Sequence, residues 1–536
     1  MTTVFQAFTT TASQAGERPF LHIPAESAAA YAAGPVDLAY REALTQIEHC
    51  AAKYAEHGFG HPHRAALVLD NRPAFFIHWL ALNSLGCSVI PVSREMQAEE
   101  IAYFLEHGEA SVMIALPEAV AEMAPAIALL KQPVPVIDCE QLDSLPQVTG
   151  RSGEIPGNAT ECALLFTSGS TGKPKACILS NEYFLFAGDW YTSIGGLATL
   201  EHGAERLLTP LPLTHMNAMA VSTMAMIKSA GCIIQLDRFH PRSWWQVVRE
   251  SGASIVHYLG VLPAILLELP ESPLDNIGQQ VKFGFGAGVN PKHHAKFEAR
   301  FGFPLLEAWA MTESGVGGSI IASHEPRHVG TCCFGKAPGY LEYQLVDENR
   351  QPVAKGEAGE LRVRAKGDRP ARGFFSGYLK NASATAEAWQ DGWLNTGDVV
   401  REGNDGSLYF VDRRKNVIRR SGENISALEV EAALLTHPAL SEAIVTAVPD
   451  ELRGDEVAAC LITSLQTDAT EQQAQDIVEH CLDQLAYYKA PGYVLFCSEL
   501  PRTASNKPRR GDIKAMARER VATGNCIDTR HLKKRR

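Results

Sequence analysis

The stretch Leu164-Leu165-Phe166-Thr167-Ser168-Gly169-Ser170-Thr171-Gly172-Lys173-Pro174-Lys175 decides how this chain is read. The apolar run Ala163 to Phe166 reads as a buried strand. It gives way to a loop of hydroxyls, glycines and two lysines. Such a loop suits phosphate, because glycines let the backbone come close, amides and hydroxyls donate, and lysines bring charge. It is not a Walker loop: the interval from Gly169 to Gly172 is too short for Gly-x-x-x-x-Gly-Lys-[Ser/Thr], and Pro174 follows Lys173. The competing assignment is a polar linker between two strands.

Bulk properties narrow the choices. At 536 residues the chain is too long for one compact core, so two or more domains are expected. Its 46% hydrophobic and 21% charged residues suit a globular protein. The 49 Lys and Arg against 61 Asp and Glu leave a formal charge of −12, which argues against a general binder of nucleic acid or membrane surface. Met1 to Gln6 carries no basic region followed by an apolar core, and no apolar run reaches the roughly 18 residues that span a bilayer. The twelve cysteines share no Cys-x-x-Cys pair, and adjacent Cys332-Cys333 lack zinc-ligand spacing. Free thiols and a cytoplasmic location are expected.

Upstream of the loop, Leu38 to Gly60 and Ala74 to Leu85 carry helical periodicity, while Ala65 to Leu69, Cys87 to Val92 and Ser111 to Ala115 read as strands. That alternation predicts parallel βαβ units, with residues 1–150 as a structural subdomain. The Gly-, Ser- and Pro-rich segment Val148 to Thr160 connects to the loop. A second set of strands and helices runs from Arg206 to Leu306. Short alternating strands between Gly335 and Arg364 predict a small β-barrel-like subdomain.

Several segments carry chemistry. Lys282-Phe283-Gly284-Phe285-Gly286-Ala287-Gly288 is a strand with interleaved glycines. Isolated glycines mark close packing or a bulge, but three alternating ones at a strand end also let a flat ligand lie on the backbone. Glu307 to Glu313 follows. The Thr312 hydroxyl can donate to a phosphate oxygen, and the Glu313 carboxylate can hold Mg²⁺, which prefers hard oxygen ligands. A lone Thr-Glu is otherwise an ordinary helix cap. Asp398, on a tight turn after Trp393, can accept from both ribose hydroxyls or close an Asx turn. His215 follows a strand broken by Pro210 and Pro212 and reads, by itself, as a core or capping histidine. Ser426 is placed to cap a helix from Ala427 to Thr436. The tail His531 to Arg536 reads as solvated or disordered.

In order and over nearly the whole chain, these segments resemble the adenylate-forming superfamily, which includes acyl-CoA synthetases, luciferases and peptide-synthetase adenylation domains. The resemblance implies an α/β fold. A large N-terminal domain of parallel α/β subdomains plus the β-barrel-like subdomain spans residues 1–412. A small mobile α+β lid spans 413–536, with a hinge near 412–416. It implies that Thr167, Ser168, Gly169, Ser170, Thr171, Gly172 and Lys173, with Lys175, hold phosphates. It further implies that Gly286, Ala287 and Gly288 border adenine and that His215 gates an acyl pocket. Trp309-Ala310 stands where the family commonly has Tyr-Gly, and the indole can still stack on adenine. In Asp412-Arg413-Arg414-Lys415-Asn416, the resemblance has Arg413 reach ribose or phosphate while Lys415 absorbs a domain rotation. The string Arg419 to Ser426 resembles a thiol-access loop, with Gly422 letting pantetheine pass and Glu423 beside it. Lys507 stands at the active-site lysine, preceded by Asn506 where most relatives have Gly and followed by Pro508.

The activity so implied uses ATP, Mg²⁺ and coenzyme A. A carboxylic acid is converted to an acyl-adenylate with release of pyrophosphate, then to a thioester after domain alternation. The closest likeness is to the carnitine/crotonobetaine-CoA ligase group. Transfer to a carrier-protein thiol, or a non-catalytic nucleotide- or CoA-binding role, are the alternatives. The acid should sit between His215 to Met219, Phe283 to Gly288 and Trp309 to Gly318, with Gly315, Gly317 and Gly318 leaving room. A homodimer is the default assembly.

Overall fold

The structure, a computed structural model, describes residues 2–167, 174–420, 423–450, 453–464, 470–502 and 508–533; the side chains of Lys415, Arg419, Glu423 and Asn424 are outside this description. Two largely parallel sheets make up most of the molecule. One has eight strands, with Arg206–Thr209, Cys232–Gln235, Ile255–Leu259, Phe283–Ala287 and Leu305–Trp309 parallel at its centre. The other has seven, in the order Gly377–Tyr378, Lys175–Ser180, Glu161–Thr167, Ser88–Pro91, Arg64–Val68, Val112–Ala115 and Val136–Asp138. The βαβ expectation holds there: Arg64–Val68 pairs in parallel with both Ser88–Pro91 and Val112–Ala115.

The expectation of one subdomain over residues 1–150 is corrected. Pro19–Ile23 leaves its sequence neighbours and pairs in parallel with Cys232–Gln235 of the other sheet. The reason is burial. Phe8, Phe20 and Tyr40 are fully buried, with ring centroids 4.9 to 5.4 Å apart. The Tyr40 hydroxyl then donates to the carbonyls of Met226 and Gly231, at 2.8 and 2.9 Å. An aromatic cluster with its polar tip satisfied holds the strand against the second sheet.

The alternating strands of the middle region form an antiparallel sheet in the order Cys333–Gly335, Leu408–Arg413, Trp393–Glu402, Ala358–Ala365, Leu341–Val346. Among the described residues, no pairing joins its two outer strands. A fourth sheet draws only on residues 418–528, and its side chains build two cores of their own, one around Ile418, Val430, Val457 and Ile477, the other around Ile444, Cys460, Leu495 and Ile513.

The tail is also corrected. Arg530–Leu532 forms a short turn, and Lys533 is buried with Nζ 2.5 Å from Glu456 Oε1. Arg420 Nε meets the same carboxylate at 2.8 Å. The ammonium is held inside because a carboxylate answers it. Burial, opposed by Glu456, lowers the Lys533 pKa to about 8. Residues 534–536 lie outside the described residues.

Candidate active site

Glu161–Thr167 and Lys175–Ser180 are antiparallel neighbours, with Thr167 opposite Lys175. Ser168, Gly169, Ser170, Thr171, Gly172 and Lys173, which connect them, lie outside the described residues. At the mouth of that connection the structure brings together residues far apart in sequence. Glu313 is 7% exposed, and its Oε1 accepts from the Thr167 hydroxyl at 3.3 Å and the Tyr378 hydroxyl at 2.8 Å. Lys175 Nζ lies over the Tyr378 ring, 4.9 Å from its centroid. Burial, and then the Glu313 charge, raise the Tyr378 pKa, so its hydroxyl stays protonated as a donor. The Thr312 carbonyl accepts from the buried Tyr183 hydroxyl at 3.1 Å, which fixes the backbone entering Glu313.

The glycine strand Phe283–Ala287 runs between Ile255–Leu259 and Leu305–Trp309. Gly286 is a packing glycine, since a Cβ there would stand 2.3 Å from the Tyr258 carbonyl oxygen. Ala287 and Gly288 are exposed, and Gly288 turns with φ +79°, leaving the strand end open. Glu307 fastens this end. Its Oε2 accepts from the Gly288 amide at 2.9 Å, and its Oε1 accepts from the Val289 amide at 3.1 Å and the Tyr258 hydroxyl at 2.9 Å.

Asp398 is not on a tight turn but within the strand Trp393–Glu402, paired with Arg413 of Leu408–Arg413 and next to Gly397 (φ +69°), where the ladder to Ala358–Ala365 is interrupted by a bulge. It is 1% exposed. Its Oδ2 accepts from the indole N–H of buried Trp309 at 2.8 Å. Arg413 Nε approaches Oδ1 to 2.7 Å, yet among the described residues no hydrogen bond is aligned on that oxygen. A buried carboxylate oxygen thus carries an ion pair and still has its hydrogen-bonding capacity in hand. Burial raises the Asp398 pKa, with Arg413 and Trp309 opposing.

His215 is exposed, just ahead of a π-helical turn, Asn217–Ser222. The expectation that Gly315, Gly317 and Gly318 leave room is corrected. A Cβ would meet the Gly373 carbonyl at 2.3 Å from Gly315, the Arg372 carbonyl at 2.5 Å from Gly317, and the Phe374 ring at 3.1 Å from Gly318. These glycines let two chain segments touch.

At the junction of the two modules, Asp412 is fully buried and bonded through both carboxylate oxygens to the segment that follows it. Its Oδ1 accepts from the Arg413 amide at 2.7 Å, and its Oδ2 accepts from the Ser426 hydroxyl and the Leu428 amide, each at 3.1 Å. Ser426 caps Ala427–Leu434 as expected, accepting from the Glu429 amide at 3.2 Å. Arg414 pairs with Glu360 at 2.6 Å, and Lys292 Nζ donates to the Ala432 carbonyl at 3.0 Å. The side chains of Lys415 and Glu423, and residues Gly422 and Lys507, lie outside the described residues.

Comparison with known proteins now bears on the whole chain. The family described as AMP-binding enzyme matches residues 8–379, more than half of it. The chain belongs to the AMP-binding enzyme family. The C-terminal domain of AMP-binding enzymes matches residues 429–507, inside the module built on the fourth sheet. This AMP-binding enzyme is 27% identical over 492 residues to crotonobetaine/carnitine–CoA ligase of Salmonella paratyphi A, covering 89% of this chain and 92% of that protein. It is 28% identical over 513 residues to sulfoacetate–CoA ligase of Cupriavidus necator, covering 93% and 95%. Its fold is shared with o-succinylbenzoate CoA synthetase of Bacillus subtilis in complex with its acyl-adenylate, at TM-score 0.80 and 23% identity over 95% of this chain and 97% of the other. ATP-bound MatB of Rhodopseudomonas palustris gives TM-score 0.80 at 19% identity, over 97% and 99%. The AMP-binding enzyme is thus α/β, with a large N-terminal domain and a smaller C-terminal one. Among its described residues no helix is long and apolar enough to cross a membrane.

Proposed function

We propose that this AMP-binding enzyme is an AMP-forming acid–CoA ligase. It activates a carboxylic acid with ATP, releases pyrophosphate, and hands the acyl group to the thiol of coenzyme A. The observation that carries the reading is the pairing of two buried carboxylates, each with an oxygen to offer, near the carboxyl ends of parallel strands, where ligands of such sheets bind. Asp398 Oδ1 fits a ribose hydroxyl, being buried and without an aligned donor. Glu313 fits Mg²⁺, being a hard oxygen donor braced by Thr167 and Tyr378 at the mouth of the phosphate loop. Mg²⁺ bound there supplies charge neutralisation to the phosphates.

The chain's own residues do the rest by position and charge. Trp309 and Arg413 hold Asp398; Glu307 holds the open end of the glycine strand for adenine. By the family resemblance, Ser168 to Lys173 would donate to the leaving phosphates, and Lys507 would bridge the incoming carboxylate and the α-phosphate. The division falls at 412/413, with Lys415 as the pivot; the buried Asp412, at the end of the large module with its carboxylate bonded to Arg413, Ser426 and Leu428 of the small one, supports that placement. Gly422 and Glu423 then line the thiol path. The activities for which the two relatives are named, both CoA ligases, favour coenzyme A over a carrier-protein thiol, and a cytoplasmic location accords with that substrate.

Purified protein supplied with ATP, Mg²⁺ and a panel of acids should release AMP in step with thioester, and only when coenzyme A is added. AMP release at the same rate without coenzyme A, with the acyl group captured by added hydroxylamine as its hydroxamate, would move the reading to another acceptor. Nucleotide binding with no pyrophosphate exchange for any acid of the panel would move it to a non-catalytic relative.

A further inference from the structure

The segments expected to line the acid converge on the helix Asn181–Ser193, and the ground between them is filled. Tyr183 of that helix reaches the Thr312 carbonyl and lies 3.6 Å from Met216 Sδ. Two turns along, Tyr191 is fully buried with its hydroxyl 2.9 Å from His257 Nε2. His257, also fully buried, stacks on Phe285 of the glycine strand at 4.7 Å and on Tyr191 at 5.7 Å. Trp190 sets its edge against Phe285 at 6.1 Å. His257 Nδ1 meets Asn217 Oδ1 at 2.8 Å and Ser222 Oγ at 3.0 Å, tying it to both ends of the π turn that begins beyond His215.

These contacts assign the proton. With Asn217 Oδ1 as acceptor, Nδ1 carries the hydrogen, and Nε2 accepts from the Tyr191 hydroxyl. The Ser222 hydroxyl donates to the Asn217 carbonyl at 3.0 Å. Burial lowers the His257 pKa to about 3, so the ring remains neutral. The cluster is therefore an uncharged, hydrogen-bonded plug that spans the helix, the glycine strand and the π turn. Turns of this kind are concentrated at functional sites.

We propose that this plug is the closed far end of the acyl site, so that the enzyme takes compact acids and rejects long-chain ones. The proposal rests on the ligase reading and names its substrate class. A long acyl chain running past Phe285 would have to displace Tyr191 or His257. Interiors packed at this density do not yield elastically. Each buried group left without its partner costs roughly tenfold to a hundredfold in affinity.

The test uses full-length protein and stable acyl-adenylate mimics, the acetyl, butyryl, octanoyl and dodecanoyl sulfamoyl-adenosines, with binding read by titration calorimetry. In an open apolar tunnel each added methylene tightens binding by about fourfold, so octanoyl would exceed butyryl by more than about a hundredfold. The closed site predicts the reverse, with butyryl at least about tenfold tighter than octanoyl and dodecanoyl no better. Tyr191→Ala, which vacates ring volume, should raise the octanoyl-to-butyryl affinity ratio at least about tenfold. Wild-type affinity climbing steadily from acetyl to dodecanoyl would overturn the proposal, and that series decides it even if the variant does not fold. Failure of AMP and of acyl-free sulfamoyl-adenosine to bind at all would instead overturn the ligase reading.

Discussion

Trp309→Phe isolates one hydrogen bond in the proposed nucleotide site. The ring stays buried, but Asp398 loses the indole N–H now 2.8 Å from Oδ2. A hydrogen bond to a charged acceptor is worth about 1.5–3 kcal/mol. Asp398 is 1% exposed, so little water reaches it as a substitute. Arg413 remains at 2.7 Å, but its side chain is 45% exposed and its contribution is screened. A loss of about 2 kcal/mol, near the middle of that range, corresponds to roughly thirtyfold weaker AMP binding near neutral pH. The sign of the pH effect follows. Burial already raises the Asp398 pKa, and removing a donor raises it further, so the charged form is lost sooner as pH falls. The variant should therefore recover part of its affinity on the alkaline side. Titration calorimetry of AMP across pH, paired with urea unfolding of both proteins, measures this. Wild-type affinity and pH dependence in a folded Trp309→Phe protein would refute the role assigned to the indole.

Other outcomes follow from the charges. Glu298 is partly buried, which opposes its ionisation, yet hydrogen bonds from Arg327, His294 and the Leu305 amide bring its pKa from 4.5 to about 2. A depressed folded-state pKa gives stability that is complete above about 4.5 and lost as pH falls toward 2, about 3 kcal/mol in all. Urea unfolding should show Glu298→Gln losing less stability than wild type across that window, and equal losses would count against the pair. Lys533 runs the other way. Burial lowers its pKa from 10.5 to about 8, so the folded protein gives up this proton first and gains stability as pH climbs between those values. The difference between wild type and Lys533→Met should grow across that window; a constant difference would place the ammonium in solvent. Glu313→Gln keeps an acceptor for Tyr378 and removes the charge, and pyrophosphate exchange should fall on the order of a hundredfold. An unchanged exchange rate would take Glu313 out of the site.

What the sequence disclosed, and what it hid, follows from the range of each interaction. Strands and helices around Ala65, Val89 and Met113 were legible because their periodicity is local. The cap at Ser426 was legible for the same reason. Thr167 and Glu313 were linked only through likeness to a family, and the structure sets them 3.3 Å apart. Tyr378, Glu307 and Asp412 escaped notice. Each is an ordinary residue whose partner lies elsewhere in the chain, as Tyr378 does from Glu313, and no local spacing marks such a pair. Gly315 and its neighbours were misread because a missing Cβ has two uses. It can make room for a ligand or let two backbones touch, and only the fold says which. The tail was misread because the carboxylate that holds Lys533 sits 77 residues upstream. The subdomain expected over residues 1–150 loses Pro19–Ile23 to the other sheet because a strand's partner is set by the aromatic surface it buries.

The central claim is that a substrate carboxylate attacks the α-phosphorus of ATP, and isotope transfer tests it most directly. An acid accepted by the enzyme is labelled with oxygen-18 in its carboxylate and turned over with ATP, Mg²⁺ and coenzyme A. The AMP and thioester are then weighed by mass spectrometry. One labelled oxygen should reside in the AMP phosphate and one in the thioester carbonyl. Unlabelled AMP, or label recovered in inorganic phosphate alongside ADP, would contradict the account.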